Sequence, residues 1–114
     1  MPQLQKFKSG DTLILSGVYR NNGTPSSLTG YTIRSQIRKN GTLICEVNVE
    51  IADQTVEVNI GKFTMRVESG TTASWAPGTY SCDIEFTVDS VVRSTETFDI
   101  PVIKGITEPI VEGV

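Results

Sequence analysis

Four stretches of this chain alternate apolar and polar side chains residue by residue. A period of two confines such stretches to extended strands with one buried face. In GYTIRSQIRK, Ile33, Ser35 and Ile37 share one side, while Arg34, Gln36 and Arg38 share the other. In TLICEVNVEI the inward row is Leu43, Cys45, Val47, Val49 and Ile51, with Glu46, Asn48 and Glu50 outside. KFTMRVE turns Phe63, Met65 and Val67 inward, and YSCDIEFTV does so with Cys82, Ile84, Phe86 and Val88, leaving Asp83 and Glu85 outside. A shorter segment, Thr55 to Ile60, is read as burying Val56 and Val58, and the last, Ser94 to Val102, as burying Phe98, Ile100 and Val102. The first, Thr12 to Arg20, is apolar on both faces at Leu13, Ile14 and Leu15, so its parity is open.

Turn residues punctuate these runs about every ten positions (KSGD, NNGTPSS, KNG, ADQ, ESGTTASWAPG, VDS), the spacing of an all-β sandwich or barrel. No window keeps an apolar stripe at helical period. A chain of 114 residues is sized for one domain with a self-supporting core. The run PGTYSC adds a specific signal: a Tyr two positions before a Cys, after a Pro-Gly turn, is the tyrosine corner that opens strand F of an immunoglobulin sandwich. The expectation is an all-β, immunoglobulin-like antiparallel sandwich of about seven strands: A (12–20), B (31–39), C (42–51), D (55–60), E (62–68), F (79–88) and G (94–102). Pro77 and Gly78 make the turn into F, and Tyr80 occupies the corner.

In antibody domains the partner of Cys82 lies on strand B, where this chain has Ser35. Cys45 sits on the predicted strand C, a neighbour of F in that fold. Two readings stay open: a bridge, if the register sets the cysteines opposite each other, or two buried thiols acting as small hydrophobes. The layout also predicts an electrically two-faced domain. Arg34, Arg38, Lys62 and Arg66 would point out from the sheet holding B and E, and Glu46, Glu50, Asp83 and Glu85 from the sheet holding C and F.

Little in the sequence points to chemistry. The chain has no His, which removes the commonest general base and metal ligand. TLILSGVY lacks a nucleophile elbow, GTTASWAPG lacks phosphate-loop spacing, no Cys pair has zinc spacing, and no calcium-loop pattern occurs. The expectation is no enzyme, no cofactor and no metal. A net charge of −3 argues against nucleic acid as a partner, and no apolar run reaches the length of a membrane span. The opening MPQLQKFKSGD lacks the apolar core of a signal peptide, so synthesis in a cytosol is expected. Trp75, the single Trp, reads either as a lid over one end of the sandwich or as a platform for a sugar ring.

The segments SGDTLILSGVYRNNGTPSSLTGYTIRSQIRKNG and GKFTMRVESGTTASWAPGTYSCDIEFT resemble small immunoglobulin-like structural proteins of tailed bacteriophages. They are similar to the N-terminal domain of phage upper baseplate proteins. The likeness spans about residues 9 to 103 and rests on GDT, LTGYT, IRK and PGTY, with Gly10, Gly30 and Gly78 at turns. It departs at Ser27, where such proteins often carry an acidic residue. The resemblance implies a non-enzymatic virion structural protein, made in the host bacterial cytoplasm, of the tail or baseplate. The alternatives are a head decoration or head–tail joining protein, or a host-surface carbohydrate-binding module. Its partners would be other virion proteins in a symmetric oligomer. The sandwich is read as residues 1–103 and residues 104–114 as an arm, with Ile103, Ile106, Ile110 and Val111 as candidate partner-binding positions.

Overall fold

The computed structural model describes residues 6–95 and 97–105. Its strands are β1 (Phe7–Lys8), β2 (Leu13–Val18), β3 (Arg20–Asn21), β4 (Thr24–Pro25), β5 (Thr32–Lys39), β6 (Thr42–Glu46), β7 (Asn48–Ile51), β8 (Lys62–Val67), β9 (Gly78–Val88), β10 (Val91–Ser94) and β11 (Phe98–Ile103). One helical turn, α1 (Ser69–Thr72), joins β8 to the loop before β9.

Three two-residue turns set the hairpin registers. Asn22-Gly23 joins β3 to β4, Asn40-Gly41 joins β5 to β6, and Asp89-Ser90 joins β9 to β10, with left-handed φ of 50 to 80° at all six residues. Two successive left-handed residues make the hairpin turn whose twist matches that of the flanking strands, and Asn-Gly is its preferred pair.

The strands form two layers. One sheet runs β1-β11-β9-β5-β6, with β10 also on β9, and the other runs β2-β8-β7. The protein is an all-β, immunoglobulin-like sandwich. Its strand pairing corrects the lettering read from sequence. β5 pairs with β9 and β6, not with β8, so the stretch read as B occupies the position of strand C. The stretch read as A pairs with β8 and holds the position of B. The stretch read as C is two strands that change sheets at Val47, with β6 on β5 and β7 on β8. At that crossing Val47 is buried, and its N–H donates to the Ser35 carbonyl at 2.9 Å. Relabelled in this way, the small sheet is B-E-D and the large one contains G-F-C with an added strand, as in variable-type domains. The stretch read as D is no strand: Glu57–Asn59 is a short 3-10 turn, with Val56 and Val58 exposed, Val58 at 71%. The stretches read as E and F are β8 and β9, and the one read as G is β11, with its first residue, Ser94, ending a separate strand β10.

The two-faced charge pattern fails for the same reason. Arg34 lies opposite Glu85 on β9 and its guanidinium meets Glu46 of β6 at 2.9 Å, so both signs share one face. Glu50 of β7 likewise shares its sheet with Lys62 and Arg66 of β8.

Between the layers pack Ile33, Ile37, Met65, Phe63, Cys82, Phe86, Ile100 and Val102, with Ile37 and Ile100 fully buried. The loop before β9 is stapled across the chain by Thr72, which is also fully buried. Its hydroxyl accepts from the Gly10 N–H at 3.1 Å and donates to the Asp11 carbonyl at 2.6 Å. Thr72→Val keeps the shape and leaves both backbone groups without their partner. The expected loss is about 1–3 kcal/mol in urea unfolding, with Thr72→Ser close to wild type. Equal stability of Thr72→Val and wild type would show that the staple does not hold the loop.

Candidate docking edge

The residues singled out from sequence are mostly structural. The Tyr80 hydroxyl donates to the Ala76 carbonyl at 2.8 Å, completing the tyrosine corner four residues upstream. Trp75 is only 5% exposed. Its ring stacks on Tyr80 at 5.0 Å and leans on Phe7 at 5.9 Å, so it closes the end of the core and is no platform for a sugar. Lys39 caps this corner, donating to the Pro77 carbonyl at 3.2 Å with its ammonium 5.1 Å from the Tyr80 ring centre. Gly78 takes a φ of 148°, and a Cβ there would press on the Lys39 side chain.

The cysteines are free thiols. Ile37 is the register partner of both Cys45 on β6 and Cys82 on β9, which places the cysteines on opposite sides of β5. Two strand spacings separate them by about 9–10 Å, beyond the roughly 7 Å that a disulfide spans. Burial pushes the Cys82 thiol up to about 11, against a smaller opposing effect of the Ser35 hydroxyl, and burial raises Cys45 as well. Thiols held protonated in this way are poor nucleophiles.

Ile103 ends β11 half-buried, opposite Lys8 of β1. Ile106, Ile110 and Val111 lie outside the described residues. Among the described residues no group of three or more His, Cys, Asp or Glu is placed to hold a metal ion. No helix there is long and apolar enough to cross a membrane.

The feature that stands out is the free edge of β2. This strand pairs only with β8, and among the described residues its other side has no partner strand. Sheet edges invite pairing, and proteins blunt them with charges or proline. The other edge strands follow that rule: Lys8 on β1, Glu46 on β6, Glu50 on β7, Arg93 on β10, and Arg20 and Pro25 on the β3–β4 hairpin. β2 does not. From Thr12 to Tyr19 the chain reads TLILSGVY, without a charge or a proline.

The strand's parity, open in the sequence, is set by packing. Leu13 is buried and Leu15 half-buried toward the core, while Ile14 (53% exposed) and Val18 (36%) stand on the outer face with Ser16 between them. Gly17 faces inward, where a Cβ would lie 2.4 Å from the Phe63 ring, so the aromatic ring occupies the space a side chain would need. Two grooves open along the same edge. One, about 360 Å³, lies at the start of β2 beside Phe7, Asp11 and Ile100. The other, about 420 Å³, lies past its end, floored by Tyr19, Phe63 and Phe86, with Arg20 and Arg93 on its wall. The aromatic rings pack in series, Tyr19 to Phe86 at 4.9 Å and Phe86 to Phe63 at 5.6 Å between ring centres.

No family model matches this chain, and no curated protein matches it. Among solved structures it is similar to AggA, the major subunit of the type I aggregative adherence fimbriae of Escherichia coli. Identity is 12%, the TM-score is 0.42, and the match covers 90% of this chain and 91% of that one. The expectation of a bacteriophage tail, baseplate or head component located in a virion is corrected on this finding, since the protein matched is a bacterial fimbrial subunit. At this identity and score the likeness assigns no function to the present chain.

No catalytic or metal-binding motif in the sequence marks this edge. The signal was nonetheless legible, as an uncharged run on a strand whose parity would not resolve. A strand that is apolar on both faces either lies between two layers or waits for one.

Proposed function

We propose that this protein is a non-enzymatic assembly module whose β2 edge takes up a strand from another protein chain and so extends the β2-β8-β7 sheet. The observation that carries this reading is that β2 is the one edge among the described residues with neither charge nor proline, and it exposes Ile14 and Val18 beside unpaired backbone. Strand addition draws affinity from main-chain hydrogen bonds and specificity from side-chain pockets alternating along the strand. The grooves at either end of β2 are such pockets. The absence of His and the protonated thiols favour a binding role over a catalytic one.

The test is amide exchange across residues 13–18 as the protein is concentrated into its assembled form. Protection of β2 should rise on assembly, and Ile14→Lys, an outer-face change that leaves the core untouched, should remain folded and unassembled. Assembly that proceeds unchanged in Ile14→Lys, with β2 still exchanging, would refute the docking edge.

A further inference from the structure

The pattern along β2 also identifies a partner, resting on the docking-edge reading above. We infer that the added strand is β2 of a second copy, antiparallel, with the twofold axis passing beside Ser16. Isologous pairing of an edge requires a strand complementary to itself. Ile14 and Val18 stand symmetrically about Ser16 on the outer face. An axis at Ser16 sets Ile14 opposite Val18 of the second copy, and symmetry repeats the pair. All four exposed apolar side chains then become cross-strand neighbours. Axes displaced to Ile14 or Val18 match each residue with itself and leave the other pair over water.

The inner face agrees with the same axis. Leu15 comes opposite Gly17 of the second copy, so a bulky residue meets a position without a side chain. Beyond the strand ends, the Asp11 end of each copy runs past the Arg20 end of the other. The groove lined by Lys6 and Asp11 thus meets the groove walled by Arg20 and Arg93, and among the described residues Asp11, Arg20 and Arg93 are in no salt bridge. The product is a continuous six-stranded sheet, β7-β8-β2 followed by β2-β8-β7 of the second copy. The two uncharged edges are removed, and the charged β7 edges are left outermost.

Directly opposed residues of an antiparallel pair have Cα atoms about 4.5–5.5 Å apart, within the span of a disulfide. Ser16→Cys in the full chain should therefore form a covalent dimer under mild oxidation. Thr64→Cys, on the same face one strand in, should not, and the wild-type thiols of Cys45 and Cys82 set the background. Ile14→Lys alone should weaken self-association at least about tenfold, read by sedimentation equilibrium. Adding Val18→Glu should restore it, since the axis opposes the new Lys to the new Glu. Cross-linking at Ser16 with rescue by the double variant supports the twofold pair. If Ile14→Lys abolishes assembly but Ser16→Cys does not cross-link and Val18→Glu does not rescue, the second-copy pairing falls while the docking edge stands. If Ile14→Lys changes nothing, both fall.

Discussion

Ile37→Ala should cost about 2–5 kcal/mol of unfolding free energy, the usual range for removing a large aliphatic side chain from a core. Ile37 is fully buried on β5, which lies between β9 and β6 in the large sheet, with Cys82 opposite it on one side and Cys45 on the other. Both flanking strands are held by hydrogen bonds, so the lining has little freedom to collapse into the space left behind. A domain of this kind has about 5–15 kcal/mol in total, so the variant should unfold at a much lower urea concentration, with an unchanged slope. Ile37→Val, which removes one methyl group, should lose about 0.5–1.5 kcal/mol. A cost for the Ala variant no greater than that of the Val variant would mean that the two layers do not close on β5.

Gln54→Leu should be nearly as damaging, for a different reason. The Gln54 amide uses its full capacity on backbone groups. Its oxygen accepts from the Leu28 and Gly61 N–H groups at 2.9 Å each, and its nitrogen donates to the Ala52 and Asn59 carbonyls at 2.8 and 3.0 Å. One side chain thereby ties the segment leading into β5 to the irregular connection between β7 and β8. Leu leaves four backbone groups without a partner. At about 0.5–1.5 kcal/mol for each hydrogen bond, and with some recovered by water because the site is half-buried, the loss should be about 2–4 kcal/mol. Gln54→Glu keeps the two accepted bonds and sets a carboxylate against two carbonyls, so it should fall between Leu and wild type. Gly61 is bound to the same arrangement: a Cβ there would lie 2.6 Å from the Tyr19 carbonyl oxygen at a left-handed φ of 79°. Amide exchange at Leu28 and Gly61 would report the loosening directly, and unchanged protection there in Gln54→Leu would exclude this role.

Neither effect is tied to the docking edge. Ile37 and Gln54 act on the stability of the single chain, whereas Ile14 and Val18 lie on the outer face, where substitution leaves the core intact. Stability and assembly should therefore respond to separate sets of residues. That separation is expected of a module whose scaffold is complete but one of whose sheets is not.

The alternation in TIRSQIRK, KFTMRV and YSCDIEFTV was enough to place three strands and their buried rows, because a pleated strand turns successive side chains to opposite faces whatever it pairs with. PGTY likewise located the tyrosine corner, since a corner is made within a few residues of chain. The sequence by itself determined these local features: an all-β chain, the inward face of most strands, and the places where the chain turns. Which strand lies beside which was decided only by the tertiary structure. The sheet change at Val47, the place of β5 beside β9, the separation of Cys45 from Cys82 and the open edge of β2 all depend on partners far along the chain. Strand alternation records that a face is buried and carries no mark of the neighbour across the hydrogen bonds, so pairing is settled only when the two layers close on a common core.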